Sequence, residues 1–365
     1  MTTRQRIEAV LRGELPDRVP MTIYYSMLPR SQIERELRNR GLGFSWRTGV
    51  VGWEYPNCSV ESHSYSNKDG SFSRTTWRTP VGEVYSISRQ GGALSYGTSW
   101  TVEWPVKSRD DYRVMEFIAN DAKPVPAYDG FLETQRLVGE DGYVLSHVGY
   151  SPLMEMIVGL IGFDQFSFHM ADHADAFWSL YDMLSRKMRR SYPLFAKSPA
   201  HVVLYGGNVH PEVMGLERFE KYVLPRYEEL AALLHEEGKL LGVHLDADNQ
   251  LFKHAVAKSG IDVVEAFTPP PDCDLSVREA REVWPRKILW INFPSSLHLA
   301  SPEVIRGTTE QLLLEAAPGD RFIIGVTEDI PADRWAVSLN EILEVVEQKG
   351  NTPISSSHTA GRPRT

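Results

Sequence analysis

Hydrophobic residues along the chain alternate between two patterns, and together they predict a repeated strand-helix unit. Short apolar runs typical of buried strands are separated by longer stretches in which apolar residues recur with helical spacing, as in residues 174–195 and 226–237. From about residue 140 onward, strands are predicted over residues 143–148, 201–206, 239–245, 261–267, 287–291 and 321–326. This alternation is typical of a parallel sheet covered by helices.

The N-terminal part adds two further strands to this count. A short helix begins after Thr2 or Thr3, a first strand is predicted over residues 21–24, a helix over 28–44 and a second strand over 50–53. Eight strands alternating with helices favour an α/β fold of the (β/α)8 TIM barrel type. A doubly wound open sheet is the alternative, but no glycine-rich dinucleotide fingerprint follows a strand.

Residues 60–106 have a different pattern, rich in Ser, Thr, Tyr and Trp, with short alternating runs between turn signals. We interpret them as an antiparallel β-meander inserted into the barrel near its N-terminus. Residues 1–348 then form a single domain that includes this insertion. Residues 349–365 are rich in Ser, Pro and Gly and have no apolar face, so we expect a disordered tail.

Charge and composition narrow the class of protein. The 365 residues carry a formal net charge of −9, which argues against a general nucleic-acid binder because phosphate binding needs clustered cations. No apolar stretch approaches the roughly 20 residues of a membrane helix. Two cysteines give no disulfide framework, and no export signal precedes the first helix. The sequence therefore predicts a cytoplasmic protein without a nucleic-acid or membrane partner, and a homodimer is one expectation for its oligomeric state.

The predicted strand over residues 239–245 delivers the most informative polar pair. Side chains alternate along a strand, so His244 and Asp246 point toward the barrel axis at the strand end, where TIM barrels carry their chemistry. Glu265 lies in the next buried strand, where an unpaired carboxylate is costly. This spacing suits either a metal site or an acid/base pair. A His–Asp hydrogen bond that only closes the strand end is an equally simple explanation.

Other polar residues are expected at the same rim. Glu328 follows the last strand and is the candidate for a fourth group near His244, although it could equally cap the next helix. Cys273, in a proline-rich loop, is an additional candidate ligand. Tyr24 and Tyr150 are candidates for orienting a substrate or for catalysis. The remaining candidates for substrate binding are His147, Asn208, His210 and Asn292.

Several motifs together resemble the uroporphyrinogen decarboxylase superfamily. They are Glu14-Leu15-Pro16-Asp17-Arg18-Val19-Pro20, Pro211-Glu212 with residues 219–225, Gly260-Ile261-Asp262, and residues 328–333 with Asn340. The resemblance covers most of residues 1–348 and implies a (β/α)8 barrel. True uroporphyrinogen decarboxylases have an arginine-rich motif near the N-terminus, which is missing from this sequence after Pro20. The chain is therefore more similar to the zinc methyltransferases that work with corrinoid proteins.

The resemblance also implies a metal site. In that branch the zinc ligands follow a His-x-Cys, Glu and Cys pattern, and the matching positions here are His244, Asp246, Glu265 and Glu328. Carboxylates in place of both thiolates are better suited to oxygen ligands. The expected reaction is O-demethylation: Zn²⁺ acts as a Lewis acid on a small donor such as a methoxylated aromatic compound, and a corrinoid (cobalamin) protein accepts the methyl group.

Two other functions stay open at this point. One is a metal-free carboxy-lyase, a decarboxylase of the uroporphyrinogen decarboxylase type, in which His244 and Asp246 act as acid and base. The other is a non-catalytic protein whose barrel mouth binds a small molecule or a corrinoid. No nucleophile elbow, phosphate loop or Cys-x-x-Cys motif supports a serine hydrolase, a kinase or a zinc finger.

Overall fold

Eight parallel strands close into a barrel in which the strands follow one another in chain order, as the sequence predicts. The computed structural model describes residues 1–91 and 99–355. In this part of the chain the strands are β1 (Met21–Tyr24), β2 (Leu42–Thr48), β3 (Val51–Glu54), β4 (Ser59–Asn67), β5 (Gly70–Thr79), β6 (Gly82–Gln90), β7 (Ser99–Glu103), β8 (Lys123–Pro126), β9 (Gly142–Gly149), β10 (Val202–Tyr205), β11 (Leu240–His244), β12 (Val263–Phe267), β13 (Ile288–Asn292) and β14 (Phe322–Val326). The barrel contains β1, β2 and β9 to β14, and β1 pairs with both β2 and β14.

Helices cover the outside of the barrel and connect its strands. They are α1 (Thr3–Leu11), α2 (Gln32–Asn39), α3 (Arg109–Asp121), α4 (Tyr128–Val138), α5 (Pro152–Met154), α6 (Phe163–Asp172), α7 (Ala174–Ala196), α8 (Pro211–Arg218), α9 (Leu224–Glu236), α10 (Lys253–Lys258), α11 (Val277–Val283), α12 (Pro302–Glu315) and α13 (Trp335–Lys349). Two π-helical turns, Glu155–Ile161 and Phe219–Val223, continue α5 and α8. No helix within the described residues is long and apolar enough to cross a membrane.

The second barrel strand differs from the prediction. A helix was expected over residues 28–44 and a strand over 50–53, but α2 ends at Asn39 and the barrel strand is Leu42–Thr48. Residues 51–54 form β3, which pairs with β8 in a separate two-stranded sheet. The run from Leu42 to Arg47 alternates apolar with small or polar residues, and this period of two explains why a strand wins over the helix.

Two hydrophobic layers hold the barrel together. Inside it, Tyr143, Leu145, Val263, Trp290 and Ile323 pack against the apolar face of α1, which closes the N-terminal end of the barrel. The alternate residues of the same strands pack outward under the helices in a second, larger cluster. Because strand side chains alternate, the inward face is left open for polar residues at the carboxyl ends of the strands.

The predicted meander over 60–106 is confirmed, for the residues described, as a four-stranded antiparallel sheet of β4, β5, β6 and β7, while its residues 92–98 lie outside the described residues. The predicted disordered tail needs a correction. Residues 350–355 are fixed to the barrel because the Thr352 amide donates to the Asp17 carbonyl, the Ile354 amide donates to the Pro318 carbonyl, and Ile354 is buried. The rest of the predicted tail, residues 356–365, lies outside the described residues.

Candidate active site

His244 and Glu265 lie side by side at the open end of the barrel. β11 and β12 are parallel neighbours whose register pairs these two residues directly. Their chain neighbours Val243 and Val264 are fully buried under the helices, so both polar side chains point inward, as the alternation predicts. The two side chains therefore contact each other at this end of the barrel, and their role in a functional site stays a prediction.

The His244 imidazole is held between two carboxylates. Its Nδ1 lies 2.6 Å from Glu265 Oε2, and its Nε2 lies 3.3 Å from Asp246 Oδ2. Burial lowers the pKa of His244, but the two carboxylates more than offset this and raise it to about 9. With both ring nitrogens facing acceptors, the imidazolium is the form that this arrangement fits.

Glu265 is the centre of the cluster, because three polar side chains converge on this buried carboxylate. The side chain is 1% exposed, and besides His244 it accepts a hydrogen bond from the Tyr24 hydroxyl at 2.5 Å and two from Arg47 Nη2 at 2.9 Å. Burial raises the pKa of Glu265, but Arg47 and His244 outweigh it, so the net shift is downward. Glu265 therefore remains ionised and fixes the positions of its partners.

Arg47 belongs to the site, although the sequence analysis did not select it. It lies near the carboxyl end of β2, its guanidinium carbon is 4.2 Å from the Tyr24 ring centroid, and its Nη2 is 3.1 Å from His244 Nδ1. Arg47 was missed because the second strand was predicted over residues 50–53 instead of 42–48. Had the strand been assigned over residues 42–48, alternation would have turned Ser45 and Arg47 inward at the rim.

A cavity of about 320 Å³ opens beside His244, and we refer to it as the Arg47 pocket. Three predicted site residues, His147, Tyr150 and Asn208, line it together with Arg47 and His244. Its described lining contains no Asp or Glu side chain. The side-chain Nδ2 of Asn208 donates to the Tyr150 hydroxyl at 3.0 Å, and the backbone nitrogen of Asn208 lies 3.3 Å from Asp246 Oδ1. Asn208 is at φ 59°, a left-handed conformation that Asn tolerates better than most residues.

Gly207 lets β10 approach His244 closely. A Cβ atom at position 207 would lie 1.8 Å from the His244 carbonyl oxygen and 2.7 Å from its Cδ2. Any side chain there would push the imidazole or its strand away. The glycine is therefore required by the packing of the site.

A second cavity of about 290 Å³ lies on the other side of Asp246, and we refer to it as the acidic pocket. Its carboxylates are Asp246, Asp248, Asp272 and Glu328. The structure also places three further predicted site residues here, namely His210, Asn292 and Cys273. Most of the predicted site residues are thus divided between two cavities, and Tyr24 and Glu265 line neither of them.

The polar side chains of the acidic pocket differ in how far the fold engages them. Asn292 is buried and accepts a hydrogen bond from the Thr327 amide at 2.9 Å, so its carbonyl oxygen is used within the fold. Burial and neighbouring carboxylates raise the pKa of Cys273 to about 12. Desolvation and the nearby Asp246 raise the pKa of Glu328.

The side chains expected to bind zinc do not converge as a metal site. Among the described residues, no group of three or more His, Cys, Asp or Glu side chains could hold a metal ion. Glu265 is engaged by a guanidinium and a tyrosine, and a dication beside Arg47 would meet a like charge. The arrangement is an ion-pair cluster, and the residues present do not fit a zinc ion.

Comparisons with known proteins agree with this architecture. A methyltransferase from Methanosarcina mazei has a similar structure, with a TM-score of 0.57 and 13% sequence identity over 95% of this chain and 99% of that chain, which shows a shared fold. No curated protein matches the sequence. The family model described as uroporphyrinogen decarboxylase (URO-D) matches residues 148–348, more than half of the chain. The chain therefore belongs to the uroporphyrinogen decarboxylase (URO-D) family.

Proposed function

We propose that this chain is a methyltransferase that takes a methyl group from an oxygen atom of a small donor. The observation that carries the proposal is the His244 imidazole, held between Glu265 and Asp246 where it lines the Arg47 pocket. A charged imidazole in this position supplies a proton to an oxygen that departs from the methyl group. Family membership and the fold shared with a methyltransferase support the same class of reaction.

The proposed reaction breaks one bond and forms one. The donor's methyl–oxygen bond breaks, and the oxygen keeps the bonding electron pair. A reduced corrinoid, acting as a second substrate on a separate protein, attacks the methyl carbon with its own electron pair. The departing oxygen takes the proton from His244 Nε2, and the resulting neutral imidazole regains a proton from solvent. The donor leaves as an alcohol or a phenol.

The other residues of the cluster hold and charge this acid. Glu265 fixes the ring through Nδ1, and Tyr24 and Arg47 hold Glu265 in turn. Asp246, on the Nε2 side, favours the protonated ring. The Arg47 guanidinium adds positive charge where the oxygen becomes negative, which is the stabilisation that the sequence analysis assigned to a metal ion.

A donor screen tests the proposal. The protein is incubated with chemically reduced cobalamin and a panel of methoxylated compounds, and methylcobalamin is followed by its absorbance. We expect transfer from at least one methoxylated donor and a loss of about 10²–10⁴ in rate for His244→Gln. Transfer that is unchanged in this variant would contradict the role of His244.

Decarboxylation is the second candidate, because Arg47 and His244 also place two positive charges where a substrate carboxylate could react. In that case a carbon–carbon bond breaks, carbon dioxide leaves, and the carbanion takes the proton from His244. Release of carbon dioxide without methyl transfer from the same panel would favour this function over the first.

A further inference from the structure

The hydrogen bonds of Arg47 are unevenly distributed over its guanidinium group. Within the described residues, both hydrogen bonds that Arg47 donates to Glu265 come from Nη2. The Nε atom is buried without a partner. A guanidinium group offers five N–H donors, so Arg47 retains unused donors while it lines the pocket and is 31% exposed.

The Arg47 pocket offers these donors to a ligand, and Glu265, which pairs with Arg47, does not line it. Its described lining has no carboxylate, whereas the acidic pocket has four. The Tyr150 hydroxyl accepts a bond from Asn208, which leaves its own hydrogen for a ligand. The apolar part of the lining consists of Leu204 and three glycines, whose flat backbone surfaces suit an apolar or planar body.

We propose that the Arg47 pocket binds a methyl donor that carries a carboxylate, with Arg47 and Tyr150 recognising the carboxylate and His244 facing the methoxyl oxygen. This inference rests on the proposed methyl transfer and names its substrate class. Arginine binds carboxylates through charge-assisted hydrogen bonds, which are about twice as strong as neutral ones. The volume of about 320 Å³ holds only a small donor, at the lower end of the range for ligand pockets.

The assignment separates the roles of the two cations. Arg47 recognises the part of the donor that does not react, and His244 delivers its proton through Nε2 on the side of Asp246. Glu265 holds both groups and also competes with the substrate for Arg47. Neutralising Glu265 should therefore strengthen the binding of an anion. A variant that only lost its structure would bind the anion more weakly.

Calorimetric titration with 4-methoxybenzoate and its neutral counterpart 4-methoxybenzamide tests the inference. We expect the wild type to bind the carboxylate about tenfold more tightly than the amide. Glu265→Gln should increase this preference, and the double variant Arg47→Gln with Glu265→Gln should abolish it. Arg136→Gln, which removes an exposed arginine on α4, is the matched control and should leave the preference unchanged.

Equal binding of the two ligands by the wild type, or a preference that survives in the double variant, would overturn the inference. If the double variant does not fold, Arg47→Lys keeps one charge beside Glu265 but removes the forked donors, and the preference should still fall. Carboxylate preference without any methyl transfer refutes the proposed function and leaves the binding site standing. Methyl transfer without carboxylate preference refutes the substrate class alone.

Discussion

The Arg47 pocket and the acidic pocket share one rim, yet their electrostatics are opposite. The first is lined by donors, with Arg47, His147 and His244 around it and no carboxylate among its described residues. The second is lined by four carboxylates and a cysteine whose pKa is raised to about 12. His244 lines one and Asp246 the other, and their contact of 3.3 Å forms the boundary.

The difference shows how one strand end can separate two functions. A donor-lined cavity stabilises negative charge on a ligand or on a departing oxygen. An acidic cavity repels an anionic donor, so it directs that donor toward the Arg47 pocket. The position of His244 at the boundary gives the acid access to the donor while Asp246 keeps it charged.

The largest effect is expected when the acid itself is removed. His244→Gln keeps a polar side chain of similar size but cannot donate an acidic proton, so kcat/KM should fall by about 10²–10⁴. The control His210→Gln changes a histidine of the acidic pocket and should alter kcat/KM by less than about twofold. Equal losses in the two variants would mean that the pockets are not functionally distinct.

Removing the shared carboxylate should cost stability. Glu265→Gln leaves Arg47 and His244 beside a neutral amide, and breaking a buried ion pair from one side costs about 3–5 kcal/mol in the free energy of unfolding. Urea unfolding measures the change. Glu133→Gln, which breaks an exposed ion pair with Arg136, is the control and should show no measurable change. A loss below about 1 kcal/mol for Glu265→Gln would contradict the central position of this residue.

The raised pKa of His244 also predicts a pH dependence of stability. The folded-state pKa of about 9 exceeds the usual 6.5, so the folded protein binds this proton more tightly than the unfolded chain. The resulting contribution, about 3 kcal/mol, is fully present below pH 6.5 and is lost as the pH rises through about 9. Unfolding curves at a series of pH values should show this loss in the wild type. A curve of the same shape for His244→Gln would rule out the assignment.

A smaller effect is expected from crowding the site. Gly207→Ala places a methyl group against the His244 carbonyl and should cost about 1–3 kcal/mol in stability, with reduced activity. Gly130→Ala is the control, because nothing lies within 4 Å of the added methyl group. That substitution lies in α4 and should stabilise by up to about 1 kcal/mol. Thermal unfolding of both variants distinguishes crowding from a general effect of replacing glycine.

The smallest effect is expected at Glu328. Because this side chain is exposed and lies in the acidic pocket, Glu328→Gln should change kcat/KM by less than about twofold. Elemental analysis of the purified protein should find less than one equivalent of zinc, with the same content in this variant. A full equivalent of zinc that is lost in Glu328→Gln or Asp246→Ala would restore the metal mechanism implied by the family resemblance.

Much of the fold follows from hydrophobic periodicity. The six strands predicted after residue 140 are all present in the barrel, because each is a short apolar run bounded by turns and longer helical stretches. The second strand was misplaced because the helical pattern of α2 was extended across Gly41 into the alternating run that follows. Tertiary contacts help to decide where a helix ends, and the spacing of apolar residues in the sequence does not show this position.

Only those site residues could be predicted that lie at the ends of correctly assigned strands, where the alternation of side chains shows which of them point inward. His244, Asp246, Glu265 and Tyr24 were selected together and lie together. Arg47 was missed with its strand. The division of the remaining rim residues between two pockets depends on loop conformation, such as the left-handed backbone at Asn208, and neighbouring strands alone do not determine it.

The role of His244 as the proton donor is tested most directly by comparing methyl donors whose departing oxygens differ in acidity. Methyl transfer from a series of methoxylated benzoates is measured for the wild type and for His244→Gln. If His244 protonates the departing oxygen, the loss caused by the variant should be largest for the least acidic phenol and should shrink as the phenol becomes more acidic. A loss that stays constant across the series would contradict the account, because the imidazole would then act without delivering its proton to the departing oxygen.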